Sequence, residues 1–246
     1  MHVTNVNPYS KLAAIYDGMM EQVDYHLWAQ YIDSLLKLFG HDVRKVCELA
    51  CGTGSLAIEL SGYGYELTCS DQSADMIECA VNKAAKKNGK ISFFVSDMCT
   101  FNSDQNFDAV ICIYDSINYL MDELSLKTFF LNAHRLLKKN AILIFDACTE
   151  LNSLENFDKR YENDRHHHYV RRSRYLRQER IQENEIEMSN GQKKYVEVHR
   201  QKIYPLEVFD RTIGELPFDM LARYSNFSYD PGTETSERVH FILKAK

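Results

Sequence analysis

The chain of 246 residues is 45% hydrophobic and 26% charged, with a formal net charge of −6. That suits one globular domain with an added lobe and speaks against a nucleic-acid partner. No apolar run approaches the ~20 residues of a membrane span, "MHVTNVNPYSKLAAIYD" lacks the layout of a secretory signal, and seven cysteines without a C-x-x-C pair read as reduced core thiols of a cytoplasmic protein.

Residues 1–40 are expected to be helical. Leu12, Ile15, Tyr16 and Met19 share one helical face, and Trp28, Tyr31, Ile32 and Leu35 share another. Gly40 then stops the second helix. Strands are predicted over 43–50, 65–70, 91–96, 107–115 and 141–147, alternating with helices over 55–61, 73–88 and 124–138. In the long helix, Met76, Ile77, Ala80, Val81 and Ala84 make an apolar stripe. "FDAVICIYD" (107–115) is nearly all apolar, as a strand covered on both faces should be. Such alternation implies an α/β fold with a Rossmann-like doubly wound parallel sheet.

After residue 150 the pattern changes to polar, extended-looking runs: "HHHYVRRSRYLRQER", "IQENEIEMS" and "KKYVEVHRQKIY". A hairpin turn is expected at "SNGQ", 189–192. A helix over 206–215 and two strands over 218–227 and 238–246 complete the chain. The expected division is a core with an N-terminal helical cap (1–150), an antiparallel β lobe (151–204) and a return to the core (205–246).

Each core strand ends in a polar cluster: "ACGTG", "SDQS", "SDM", "YDSIN" and "DACT". In a doubly wound sheet these tips should converge on one crevice at the carboxyl ends of the strands. The Gly52-Thr53-Gly54 turn brings bare backbone to a ligand. Asp71, 17 residues beyond Gly54 and at the second tip, is where a carboxylate would accept ribose hydroxyls. So far a nicotinamide dinucleotide fits. Three details pull away from it. Glu48 sits two residues before the loop, where it would repel a pyrophosphate but welcome an ammonium and a sulfonium. Asp97 at the third tip can accept an adenine amine, with Met98 against the ring and Met76 on the other side. The chain ends helix, strand, loop, strand, which suits an added antiparallel edge rather than a second nucleotide half.

"ELACGTGSL", "CSDQSADMI", "FVSDM" and "FDAVICIYDSINYL" together resemble the class I S-adenosylmethionine-dependent methyltransferases. The small-molecule type is nearest, with an N-terminal segment like "YSKLAAIYDGMM…DYHLWAQYI". The resemblance implies a seven-stranded sheet and S-adenosyl-L-methionine as cofactor. It places Glu48, Ala50, Gly52 and Gly54 at the methionyl end, Asp71 and Gln72 at the ribose, and Asp97, Met98 and Met76 at adenine. Tyr9, Tyr16 and Trp28 would close over the cofactor, and Tyr114 would join them from the fourth tip. The chain departs from the family in having Gln after Asp71, where an apolar residue is usual.

Methyl transfer from a sulfonium needs alignment and exclusion of water, and a base only if the acceptor must lose a proton. Asp115, Asn118 and Tyr119 in "YDSINYL" should face the transferred methyl, with Asp115 or Tyr119 orienting or deprotonating the acceptor; a structural role in the turn is the alternative. His199, in an H-x-x-[RK]-x-[YF] pattern with Lys202 and Tyr204, is a second candidate base, against a histidine merely hydrogen-bonded in its sheet. His166-His167-His168 carries no expectation of a metal, since adjacent strand positions face opposite ways. The arginines of 171–180 are expected to pair with glutamates of 179–187 across strands. The implied function is methyl transfer to a small-molecule N or O acceptor, without nucleic-acid or membrane partners, by a monomer or homodimer. An NAD(P)-dependent oxidoreductase and a catalytically silent, methyltransferase-like binding protein are the rival readings.

Overall fold

The computed structural model describes residues 3–87, 89–189, 191 and 193–246. Among them the elements run β1 (Val3–Asn5), α1 (Ala13–Met19), α2 (Tyr25–Phe39), β2 (Lys45–Leu49), α3 (Ser55–Ser61), β3 (Glu66–Asp71), α4 (Ala74–Ala84), β4 (Ile91–Val95) and β5 (Phe107–Cys112). A 3-10 turn (Ser116–Tyr119), α5 (Glu123–Leu136), β6 (Leu137–Cys148) and a short α6 (Glu150–Asn152) follow, the last running into a wide turn (Ser153–Phe157). Then come β7 (Arg160–Asp164), β8 (Tyr169–Leu176), β9 (Ile181–Ser189), β10 (Lys194–Lys202), α7 (Leu206–Gly214), β11 (Phe218–Ser225) and β12 (Arg238–Ala245).

Local chemistry sets several helix starts. The side chains of Asp24, Ser73 and Asp122 accept the amides of Leu27 (2.9 Å), Met76 (3.2 Å) and Ser125 (2.8 Å), capping α2, α4 and α5. The strands assemble into a seven-stranded sheet in the order β11-β12-β6-β5-β2-β3-β4. Strands β2 to β6 are parallel, and β12 lies antiparallel between β6 and β11. The order reverses between β2 and β5, the switch point where such sheets bind ligands. Both faces are covered. On one, Phe129 and Phe130 of α5 and Phe209 of α7 pack with Phe145 and Phe241, whose rings stack at 4.6 Å. On the other, Trp28, Tyr31, Ile32 and Leu35 of α2 pack with Leu56 and Leu60 of α3 over β2 and β3.

The second sheet, β1-β10-β9-β8-β7, forms the lobe. Two of its strands depart from the expectations above. Residues 3–5, read as helical, run parallel to β10 as an edge strand, with Val3, Thr4 and Asn5 opposite Lys194, Tyr195 and Val196. Strand β7 was not expected either, because "RYEND" has too few apolar residues to show alternation. The turn joining β9 to β10 includes Asn190 and Gln192, and the predicted long helix ends on Asn88; these three lie outside the described residues. The apolar face of α1 does not join the core. Leu12, Ile15, Tyr16 and Met19 pack instead on Tyr169, Ile186 and Met188 of the lobe, so α1 bridges the two sheets. Among the described residues no helix is long and apolar enough to cross a membrane.

Candidate active site

A cavity of about 440 Å3 opens between the carboxyl ends of the parallel strands, α1 and the lobe, within the ~300–1,000 Å3 usual for small-molecule sites. All five strand tips reach it: Ala50, Cys51, Gly52 and Thr53 after β2, Asp71 and Gln72 after β3, Asp97 and Met98 after β4, Tyr114 and Asp115 after β5, and Cys148 at the end of β6. Met76 of α4, Tyr9, Tyr16 and Trp28 of the N-terminal segment, Tyr119 and His199 line it too.

Glu48 is only 4% exposed. Among the described residues its side chain has one hydrogen-bond contact, the Cys69 thiol at 3.9 Å. Burial, with Asp71 nearby, pushes its carboxyl up to about 8. Asp71 accepts the amides of Gly52 and Ser73, both at 2.9 Å. Burial raises its carboxyl as well, against the pull of those two bonds. Asp97 accepts the Cys99 amide at 2.7 Å. Gly52 has φ +55, and a Cβ there would meet nothing within 4 Å, so its bare backbone faces open space.

Gly54 is a correction to the expected set. It does not line the cavity. Its amide donates to the Cys51 carbonyl at 2.9 Å, and at φ +71 a Cβ would sit 2.9 Å from the Phe93 ring. It opens α3 and allows close packing on β4. Beside it, Thr53 donates to Asp17 of α1 at 2.6 Å, and Asp17 pairs with Lys83 at 2.6 Å. A carboxylate from the cap thus stands at the start of α3, where a dinucleotide's pyrophosphate would need the helix amides.

The opposite wall is a charge cluster. Arg238, the first residue of β12, binds Asp115 at 2.7 Å and also Asp146, which is fully buried. Asp115 also takes the Gln201 amide at 2.5 Å and donates its own N–H to Asp146 at 3.0 Å. Each Asp115 oxygen therefore already has a donor. Burial raises its carboxyl while Arg238 opposes the rise. The guanidinium also lies over Trp28 and Tyr114, 5.4 and 5.0 Å from their ring centroids. Neither Asp146 nor Arg238 was foreseen, although an arginine opening the apolar run "RVHFILKAK" is the trace of a buried ion pair.

Asn118 was expected to face the methyl group but is fully buried outside the cavity lining. Its amide bonds the Lys202 carbonyl (2.8 Å) and the Cys148 amide (3.0 Å), tying the 3-10 turn to β6 and β10. Of the H-x-x-K-x-Y pattern, only His199 lines the cavity. Lys202 caps the Glu179 carbonyl, and Tyr204 lies in the core with its hydroxyl on the Leu120 carbonyl. The His199 ring has a hydrogen-bond partner at each nitrogen. Its Nδ1 lies 3.1 Å from the Tyr119 hydroxyl, which is 2.5 Å from the Tyr9 hydroxyl; its Nε2 lies 3.1 Å from Glu197.

The lobe arginines are largely paired: Arg172 with Glu185, Arg174 and Arg200 with Glu183, Arg171 with Glu162 and Arg180 with Glu150. In the histidine tract, His167 bonds Asp164 at 2.9 Å and packs on Gly18 of α1. Among the described residues no three His, Cys, Asp or Glu are grouped to hold a metal.

Residues 46–140 match the protein family described as Methyltransferase domain. A Geobacillus sp. (strain WCH70) protein, named as a candidate methyltransferase, is 29% identical over 244 residues, covering 96% of this chain and 99% of its own. A solved S-adenosylmethionine-dependent methyltransferase from Clostridium acetobutylicum superposes with a TM-score of 0.81 at 23% identity, covering 96% of this chain and 98% of its own. An amino pentose methyltransferase from Micromonospora echinaspora, solved with S-adenosylmethionine bound, superposes with a TM-score of 0.73 at 16% identity, covering 96% and 97%. At such identities the solved structures speak for the fold, which this chain shares with S-adenosylmethionine-dependent methyltransferases, and within it residues 46–140 match a methyltransferase domain.

Proposed function

We propose that this cavity binds S-adenosylmethionine and that the protein transfers a methyl group to nitrogen or oxygen of a small-molecule acceptor. The observation that carries the reading is Glu48: a buried carboxyl group on the cavity wall with no cationic partner among the described residues. Such a group is costly to ionise unless a cation comes to it, and the cofactor's methionyl end has an ammonium. Ala50 and the open face of Gly52 would flank that end, Asp71 and Gln72 would take the ribose, and Asp97, Met98 and Met76 the adenine. Tyr16, Trp28 and Tyr114 would close over it, with Tyr9 beyond. When bound, S-adenosylmethionine supplies a methyl group already activated for in-line displacement, so the chain's main tasks are alignment and exclusion of water.

The lobe supports a hydrophilic small acceptor. On β10 the usual alternation is inverted: Glu197, His199 and Gln201 are buried while Val198 is exposed. Gln182 and Asn184 of β9 line the cavity from the same sheet. Asp115, held by Arg238 and Gln201, suits a role in positioning the acceptor better than in removing its proton. The amino pentose enzyme that shares this fold makes amino sugars the first acceptors to try.

Calorimetric titration with S-adenosylmethionine and with NAD+ tests the cofactor. The expected result is micromolar or tighter binding of the first and none of the second; the reverse overturns the reading. Labelled-methyl transfer to a panel of amino sugars, amino acids and phenols tests turnover. Tight cofactor binding with no transfer across a broad panel would favour the silent binding protein.

A further inference from the structure

Glu197 is fully buried, yet it does not line the cavity and has no lysine or arginine partner in any salt bridge described. It is held instead by hydrogen-bond donors. The amides of Tyr9 (2.7 Å), Lys11 (2.7 Å) and Leu12 (3.0 Å) point at its two oxygens, and His199 Nε2 reaches it at 3.1 Å. Burial raises this carboxyl, but the His199 and backbone bonds outweigh it and hold the group below the ordinary range. An ionised carboxylate only accepts hydrogen bonds. His199 Nε2 must therefore carry a proton, and in the neutral ring Nδ1 is left as an acceptor. The Tyr119 hydroxyl then donates to Nδ1, and the Tyr9 hydroxyl donates to Tyr119. One carboxylate sets the direction of the whole chain and leaves the lone pairs of the Tyr9 oxygen turned outward.

The same carboxylate fixes where that oxygen sits. Tyr9 has φ +61, a conformation a tyrosine seldom adopts, and its own amide is one of the bonds to Glu197. Edge strand β1 brings the segment alongside β10, and the Val6 amide continues the pairing to the Val196 carbonyl at 3.0 Å.

Resting on the methyltransferase reading, we propose that Glu197 is the positioning residue of a directed chain, Tyr9 to Tyr119 to His199, whose cavity end takes the proton that the acceptor gives up. The acceptor class is then a group that must lose a proton to be methylated, an ammonium or a hydroxyl. As the proton leaves the acceptor for the Tyr9 oxygen, Tyr9 passes its own to Tyr119, and Tyr119 passes its own to His199 Nδ1. The result is an imidazolium against Glu197, and the proton returns along the same chain once product has left. Burial holds both phenols well above their ordinary range, so neither rests as a phenolate and the transfer ends on the imidazole.

The test is the tautomer of His199, read from multiple-bond proton–nitrogen NMR of histidine-labelled protein saturated with S-adenosylhomocysteine, with the signals assigned by a His199→Gln variant. The expected wild-type pattern is a proton on Nε2 and a pyridine-like Nδ1. Tyr119→Phe should keep the Nε2 proton and move Nδ1 toward the value of a nitrogen without a donor. Glu197→Gln should mix the tautomers. A proton on Nδ1 in the wild type, or an Nδ1 signal that Tyr119→Phe leaves in place, overturns the proposal, even if Glu197→Gln does not fold. Calorimetry with S-adenosylmethionine on the same proteins before S-adenosylhomocysteine is added keeps the two readings apart: failure of the wild type to bind defeats the proposed function, while the tautomer still decides the chain's direction.

Discussion

Binding of S-adenosylmethionine should drive a proton off Glu48. With its carboxyl at about 8, about nine in ten molecules are protonated at pH 7. An ammonium docked against it favours the charged form. If that contact returns the group to its ordinary 4.5, each binding event at pH 7 releases about 0.9 proton, and affinity rises nearly tenfold between pH 6 and pH 7. Calorimetry at pH 7 in two buffers of different ionisation enthalpy counts the protons directly. Glu48→Gln should reduce the count to near zero and weaken binding. The empty protein carries the opposite sign. A carboxyl raised on folding stabilises fully below about pH 4.5, and that contribution is lost as pH climbs through about 8. From pH 5 to pH 9 the loss is on the order of 4 kcal/mol, so Glu48→Gln should make the empty protein more resistant to urea at pH 9. Wild-type binding with no proton exchange would refute the placement of the cofactor's ammonium beside Glu48.

The two loop glycines should separate folding from binding. Gly54→Ala puts a Cβ 2.9 Å from Phe93 at φ +71, and urea unfolding should show a loss of about 2 kcal/mol. Gly52→Ala, with the same backbone hand but open space ahead, should cost about 1 kcal/mol and show its larger effect as weaker S-adenosylmethionine binding. Arg238→Met strands Asp115 and the fully buried Asp146 without their cation, and a urea titration at pH 7.5 should register a loss of about 3–5 kcal/mol. His240 is buried between Trp28 and Tyr31 with neither ring nitrogen bonded; burial first, then Arg238, lowers it to about 3. The empty, neutral ring is retained above pH 6.5, and stability is lost as pH falls from there toward 3, so His240→Phe should flatten the acid limb of the stability profile between pH 6.5 and 4.5. An unchanged acid limb would mean another group sets it.

The core was readable from the chain because its strands are short apolar runs between glycine, serine and aspartate turns, and its helices have clear stripes. Helix α3 is found over the span predicted, and the expected cofactor and catalytic residues line one cavity, apart from Gly54 and Asn118. What escaped reading shares a cause. Strand β1 is three residues long and gains its place only from β10. Asp146, Glu197 and Arg238 owe their importance to partners 31 to 188 residues away in sequence, and periodicity carries no information about such pairs. The signals available were negative ones. In "YVEVHRQK" the polar positions sit where a core-facing strand should be apolar, and burial of Glu197, His199 and Gln201 over an exposed Val198 shows which face the pattern served.

Backbone strain ties these observations together. Tyr9, Ala50, Tyr114 and Asp115 all have positive φ, and all four line the cavity. Each such conformation costs on the order of 1 kcal/mol for a residue with a side chain. Other non-glycine residues of this kind, among them Asp42, Lys159 and Asn226, lie in loops outside the cavity. Two of the four are held by a bond from the strained residue's own amide to a buried carboxylate: Tyr9 to Glu197, and Asp115 to Asp146. Those two carboxylates are fully buried and anchor opposite walls of one site. The buried carboxylates therefore do more than receive donors: they hold the backbone at two edges of the cavity in conformations the chain would otherwise leave.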